Sequence, residues 1–147
     1  DVGAAQPLMD VMGKKTLHLG GHGKGSSMKM IVNMMLAQTM LAFSEGLSLG
    51  QALGIEQKTL LDVLLSTPIV PPYLNAIRGK IESDHFEANF PLRWMRKDLH
   101  LAALSAYEYE VPMPSLHIAQ EMFTLALREG LGDEDFSAIY RFVKGRR

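Results

Sequence analysis

Apolar residues recur at helical spacing along most of this chain, and glycine or proline stands wherever the pattern breaks. The pattern from Met28 to about Leu53 predicts one long helix, about 40 Å at 1.5 Å per residue, with Ser26 and Ser27 as N-cap residues. Its apolar positions cover more than one stripe, which predicts burial on several sides, as for a central helix. Gly46 and Gly50 give it either a smooth patch for a closely packed neighbour or a local bend. "EQKTLLDVLLS" predicts a second helix after Gly54, and "YLNAIRGKI" a short one after the proline-punctuated "TPIVPPY". Pro91 sits in the first turn of a helix running to about Glu110. "SLHIAQEMFTLALREG" follows Pro112 and Pro114 and stops at Gly130, and Asp133 caps a last helix over "EDFSAIYRFVK". The expected fold is an all-α domain of about six helices around one long axis helix.

Residues 1–20 read as the tail of another unit, and residues 21–147 as the helical domain. "AAQPLMDVMG" has helical spacing, with Gly13 as its stop. The alternation in "KKTLHLG" predicts a short strand, which needs a sheet to join; it either pairs with something outside this chain or is simply extended. The opening "DVGAAQPLMD" has no initiator methionine and starts in mid-pattern, as a piece of a longer protein does.

Composition narrows the classes. With 147 residues, 47% hydrophobic and 21% charged, the chain suits one globular domain. A net charge of −1 leaves no basic footprint for nucleic acid, and the terminal "KGRR" reads as a solvated chain end. No cysteine means no disulfide framework and no thiolate metal site. The five histidines lack metal-ligand spacing, so no metal is expected. The richest apolar run, from Met30, is broken by Asn33, Gln38 and Thr39, so no membrane span is expected, and no signal peptide is evident. The expected location is cytoplasmic. Ten methionines read as adaptable core filler.

Candidate chemistry concentrates in two stretches. In "GGHGKGSSMKMIVNM", Lys29 and Asn33 stand four positions apart, on one helical face, just after a glycine-rich loop. Met28, Met30 and Ile31 surround the lysine, and burial there would disfavour its charged form and suit it to proton transfer. A solvated surface lysine is the plainer reading of the same spacing. The loop lacks the Walker A spacing, and no second strand follows to complete a dinucleotide fingerprint. In "FPLRWMRKDLHLA", Arg93, Arg96 and Lys97 supply local positive charge usable against an anionic cofactor, or merely a solvated face. Lys97 and Asp98 are adjacent, about 100° apart around a helix, and are expected to serve different partners.

The order Gly20-x-x-Gly23-x-Gly25-x-x-x-Lys29-x-x-x-Asn33, "EGLSLGQALGI", "KDLHLA", "DFSAI" resembles the C-terminal helical domain of the β-hydroxyacid dehydrogenases. That family includes 3-hydroxyisobutyrate dehydrogenase, tartronate semialdehyde reductase and glyoxylate/succinic semialdehyde reductase, and the last branch is the most similar in "FSEGLSLGQALG" and "FPLRWMRKD". The resemblance covers nearly the whole chain. It implies a helical domain like the C-terminal domain of 6-phosphogluconate dehydrogenase, with residues 1–20 as the last helix and strand of a Rossmann domain absent from this chain. It also implies an NADP- or NAD-dependent enzyme reducing small aldehyde acids, inactive as this piece alone. Lys29 matches the catalytic lysine, with Asn33 and Gly23 at the substrate, and Phe90, Lys97 and Asp98 match positions near the cofactor. The implied partners are the chain's own Rossmann domain, the aldehyde-acid substrate and further copies in a homodimer or homotetramer. A purely structural dimerisation module remains the rival reading.

Overall fold

The computed structural model describes residues 2–145, so Asp1 and the last two residues of "KGRR" lie outside the described residues. The described residues form seven α-helices: α1 (Val2–Met12), α2 (Lys24–Ala52), α3 (Gln57–Ser66), α4 (Leu74–Ser83), α5 (Leu92–Glu108), α6 (Pro114–Arg128) and α7 (Ile139–Lys144). Two single 3₁₀ turns, Leu131–Asp133 and Phe136–Ala138, join α6 to α7. The second half of α2 is the axis, and α3, α5, α6 and α7 all pack on it, while α5 lies along α6 and α4 covers α3. The expected all-α fold with one long helix is what forms.

The core is the meeting of one stripe from each helix. Ala37, Met40 and Leu47 of α2 are fully buried against Leu61 of α3, Leu92, Met95 and Leu99 of α5, Leu116 and Phe123 of α6, and Ile139 of α7. Truncating Met40 or Leu99 to alanine would cost about 2–5 kcal/mol, since such a core relaxes only partly around a void. Gly50 shows why α3 can come so close: a Cβ there would collide with the Leu60 methyl groups, whereas Gly46 has open space around it. The expected smooth patch is therefore one glycine wide.

Four sequence expectations are corrected. The long helix starts at Lys24, not Met28, because Gly23 takes a left-handed φ of 86° and forms the turn itself. Ser27 is thereby inside the helix, its Oγ donating back to the Gly23 carbonyl at 3.2 Å. Pro91 is the residue before α5, with extended ψ of 139°, not part of its first turn. Asp133 does not cap the last helix; it lies in a 3₁₀ turn, and the side-chain cap belongs to Asp135, which accepts from the Ser137 N–H at the start of the second 3₁₀ turn that leads into α7. Residues 14–20 form no strand, for no ladder partner exists among the described residues.

Burial on several sides is true of α2 only from Ala37 onward. Ahead of that, Met28, Ile31, Val32 and Met35 are exposed, while the other side of these turns rests on α5 through Lys29, Met30 and Asn33. By length and composition alone α2 would suffice to cross a bilayer, contrary to the expectation from its broken apolar run. Its buried half is the core of this domain.

Candidate active site

The exposed front of α2 is where the chemistry collects. Asn33 falls on the stripe that runs through Met30, Met34 and Ala37 toward α5, and Lys29 is one turn ahead of it. From the other side, Asp98 occupies the buried stripe of α5 between Met95 and Ala102. A carboxylate in an apolar stripe must find donors. Asp98 finds three. Its Oδ2 accepts a hydrogen bond from Lys29 Nζ and another from Asn33 Nδ2 at 2.5 Å, and its Oδ1 pairs with Lys97 Nζ at 2.9 Å. The orientation of the Asn33 amide follows from this, since its oxygen would be repelled by the carboxylate.

The pair is asymmetric: the Asp98 side chain is 4% exposed and that of Lys29 58%. Burial pushes the Asp98 carboxyl up, but the bonds from Lys29, Lys97 and Asn33 outweigh it and hold the group below the usual carboxylate range. The burial of Lys29 expected from its methionine and isoleucine neighbours does not occur: Met28 and Ile31 are themselves exposed, and Met30 turns away to pack toward α5. An ammonium has three donors; Asp98 takes one and the others face outward. Nζ also lies 6.0 Å from the centroid of the Phe90 ring, which arrives from the loop ahead of α5.

Lys29, Asn33, Phe90, Lys97 and Asp98 are thus brought together, and Gly23 is not. Gly23 is the left-handed turn about 9 Å along the helix axis from Lys29 at 1.5 Å per residue. Lys97 and Asp98 do not serve different partners as expected, because the long lysine stem curls back to its neighbour's carboxylate. Nζ of Lys97 also lies 6.0 Å from the Trp94 ring centroid. Asp98, being buried, anchors Lys29. The local positive charge expected of this turn is dispersed: Arg93 reaches Asp133 and the Gly132 carbonyl, and Arg96 donates to Thr124. What spacing alone missed is Asp135, whose buried carboxylate receives the backbone N–H groups of Asn89 and Phe90. Its signal was an aspartate followed by Phe-Ser-Ala, a turn-and-cap pattern.

Comparison with known proteins bears on this geometry. A family model described as "NAD-binding of NADP-dependent 3-hydroxyisobutyrate dehydrogenase" matches residues 23–143. Glyoxylate/succinic semialdehyde reductase 1 of Arabidopsis thaliana is 40% identical over 141 residues, 96% of this chain and 49% of that protein. Probable mitochondrial 3-hydroxyisobutyrate dehydrogenase of the same plant is 36% identical, over 97% of this chain and 44% of that protein. The crystal structure of 3-hydroxyisobutyrate dehydrogenase from Salmonella typhimurium superposes with a TM-score of 0.89 at 23% identity, covering 95% of this chain and 50% of that one. The chain spans about half the length of these relatives. From motifs, fold and these matches together, this chain belongs to the 3-hydroxyisobutyrate dehydrogenase family of NAD(P)-dependent hydroxyacid dehydrogenases.

Proposed function

We propose that this chain is the helical half of a two-domain NAD(P)-dependent reductase of small aldehyde acids, glyoxylate and succinic semialdehyde first among them, with Lys29 as the general acid. The observation that carries the reading is the Lys29 amine, tethered to a buried carboxylate yet open to the outside, with Asn33 and an aromatic ring beside it. A packing module has no use for that arrangement, since it would leave the lysine either enclosed or unheld. Oxidation of 3-hydroxyisobutyrate or reduction of tartronate semialdehyde by the same residues is the alternative within the family.

The residues present suit a dinucleotide's reactive end. Phe90 offers an aromatic ring beside the amine, and Lys97, half exposed, offers a cation to an anionic group. When bound, the nicotinamide supplies the hydride that reaches the carbonyl carbon. Lys29 gives the carbonyl oxygen a proton from Nζ, so that no bare alkoxide has to form. Asp98 keeps Nζ in one place through that transfer, and Asn33 has the second N–H of its amide left to donate to a substrate oxygen. Solvent at the exposed amine restores the proton. Gly23 contributes the turn that aims α2 at the domain boundary. Residues 1–20 are the tail of the nucleotide-binding domain, and the exposed Met28, Ile31, Val32 and Met35 are covered by that domain and a second copy of the chain.

The test is turnover of the two-domain enzyme on glyoxylate, succinic semialdehyde and 3-hydroxyisobutyrate, each with both nicotinamide cofactors. Reduction of either aldehyde acid supports the reading. Activity confined to 3-hydroxyisobutyrate moves it to the alternative, and no turnover on any of the three overturns it.

A further inference from the structure

Asp135 is 1% exposed and carries more bonds than the cap of a single 3₁₀ turn requires. Its Oδ2 accepts from the backbone N–H groups of Asn89 at 3.0 Å and Phe90 at 3.2 Å and pairs with Lys80 Nζ at 3.1 Å. Its Oδ1 accepts from Ser137, from the N–H at 3.2 Å and the hydroxyl at 2.5 Å. The backbone is stitched at the same place: Asp135 N–H donates to the Phe86 carbonyl, and Phe136 N–H to the Phe90 carbonyl, each at 2.9 Å. Pro91 and Asp135 form an isolated antiparallel bridge.

The consequence falls on one residue. Phe90 belongs to the non-helical stretch between α4 and α5, where no helix geometry holds a backbone in place. Both of its backbone polar groups are nevertheless held, N–H by the Asp135 carboxylate and C=O by the Phe136 N–H. Its ring leans on Phe136, with centroids 6.2 Å apart, and from there meets the Lys29 amine. Lys80, largely covered, spans from the Asp135 carboxylate to the Glu87 carbonyl and closes the other end of the stretch. Burying an ion pair is costly against a well-packed apolar alternative, so a pure packing role does not explain why the charge is kept.

We propose that Asp135 is a positioning residue for the reaction: by pinning the Phe90 backbone it fixes the ring against Lys29, and it governs turnover through Phe90 without touching substrate or cofactor. This rests on the reading of Lys29 and Phe90 given under the proposed function. Asp135→Asn keeps the shape but turns one acceptor oxygen into a donor, which must then confront either Asn89 and Phe90 or Ser137.

The experiment is a double-mutant cycle in the two-domain enzyme, with Asp135→Asn, Phe90→Ala and the pair, reading kcat at saturating cofactor and substrate. Asp135→Asn is expected to lower kcat about tenfold or more, as small misplacements of reacting groups do. In the Phe90→Ala background it should lower kcat less than about twofold, because the residue it acts through is gone. Equal losses in both backgrounds, or less than a twofold loss in the parent enzyme, overturn the proposal. Should Asp135→Asn not fold, Lys80→Met replaces it in the same cycle and is judged by the same two outcomes. Failure of the underlying reading looks different: it is unchanged turnover in Lys29→Ala, whereas failure of this proposal is absent coupling while Lys29→Ala remains crippled.

Discussion

Lys29 on α2 and Asp98 on α5, 69 positions apart in the chain, are joined by a hydrogen bond with one end buried and the other in the open. The buried end is rigid because α5 holds Asp98 within its core stripe and two further donors occupy the carboxylate. The open end inherits that rigidity. A lysine stem has four rotatable carbons and much rotamer freedom to lose, and the tether removes that freedom before any substrate arrives.

Asp98→Asn is therefore expected to lower kcat of the two-domain enzyme roughly 10- to 100-fold, the scale of a reacting group displaced by about 1 Å. The effect should not add to that of Lys29→Ala, because the two side chains act as one unit. A double variant markedly slower than Lys29→Ala alone would show that Asp98 has an independent role.

Acid should weaken the fold in a defined window. For Asp98 and Asp135 burial pushes the carboxyl up, but hydrogen bonds and cations outweigh it, so both sit below the usual range in the folded chain. The unfolded chain then binds protons first, and stability present above about pH 4 is lost as pH falls through the folded-state values. Urea unfolding of the chain at a series of pH values should show this decline, and Asp135→Asn should make it shallower. An unchanged acid slope in the variant contradicts the assignment for Asp135.

Gly50 and Gly46 should behave oppositely although both lie in one helix. Gly50→Ala drives a methyl into Leu60 and is expected to destabilise by about 1–3 kcal/mol, as overpacking does. Gly46→Ala meets nothing and gains helix propensity, up to about 1 kcal/mol. Thermal unfolding of the two variants beside the parent chain decides it; a matched pair of shifts would mean that the α2–α3 contact is looser than described.

Most of the fold could be read because glycine and proline punctuate nearly every helix, and a period near four survives between them. The boundaries slipped where a backbone turn replaced a side-chain cap, at Gly23, and where the capping carboxylate is Asp135, two positions beyond the expected Asp133. The site divided along similar lines. Lys29 and Asn33 share a helix face, so spacing alone paired them. Asp98 could not be paired that way, since its partner comes from a distant helix, although its place among Leu92, Met95, Leu99 and Ala102 marked it as a buried acid in need of donors. The exposure of Lys29 was hidden because apolar neighbours in sequence suggested burial, when Met28 and Ile31 are themselves exposed and Met30 packs toward α5 on another side of the helix.

The most direct test of the account is the rate of hydride transfer in a single turnover of the Lys29→Ala two-domain enzyme, with cofactor and aldehyde acid both saturating. Loss of a donor aimed at the developing oxyanion predicts a fall of roughly two to three orders of magnitude, with cofactor affinity changed little. A rate close to that of the parent enzyme would contradict the claim that this amine carries the chemistry.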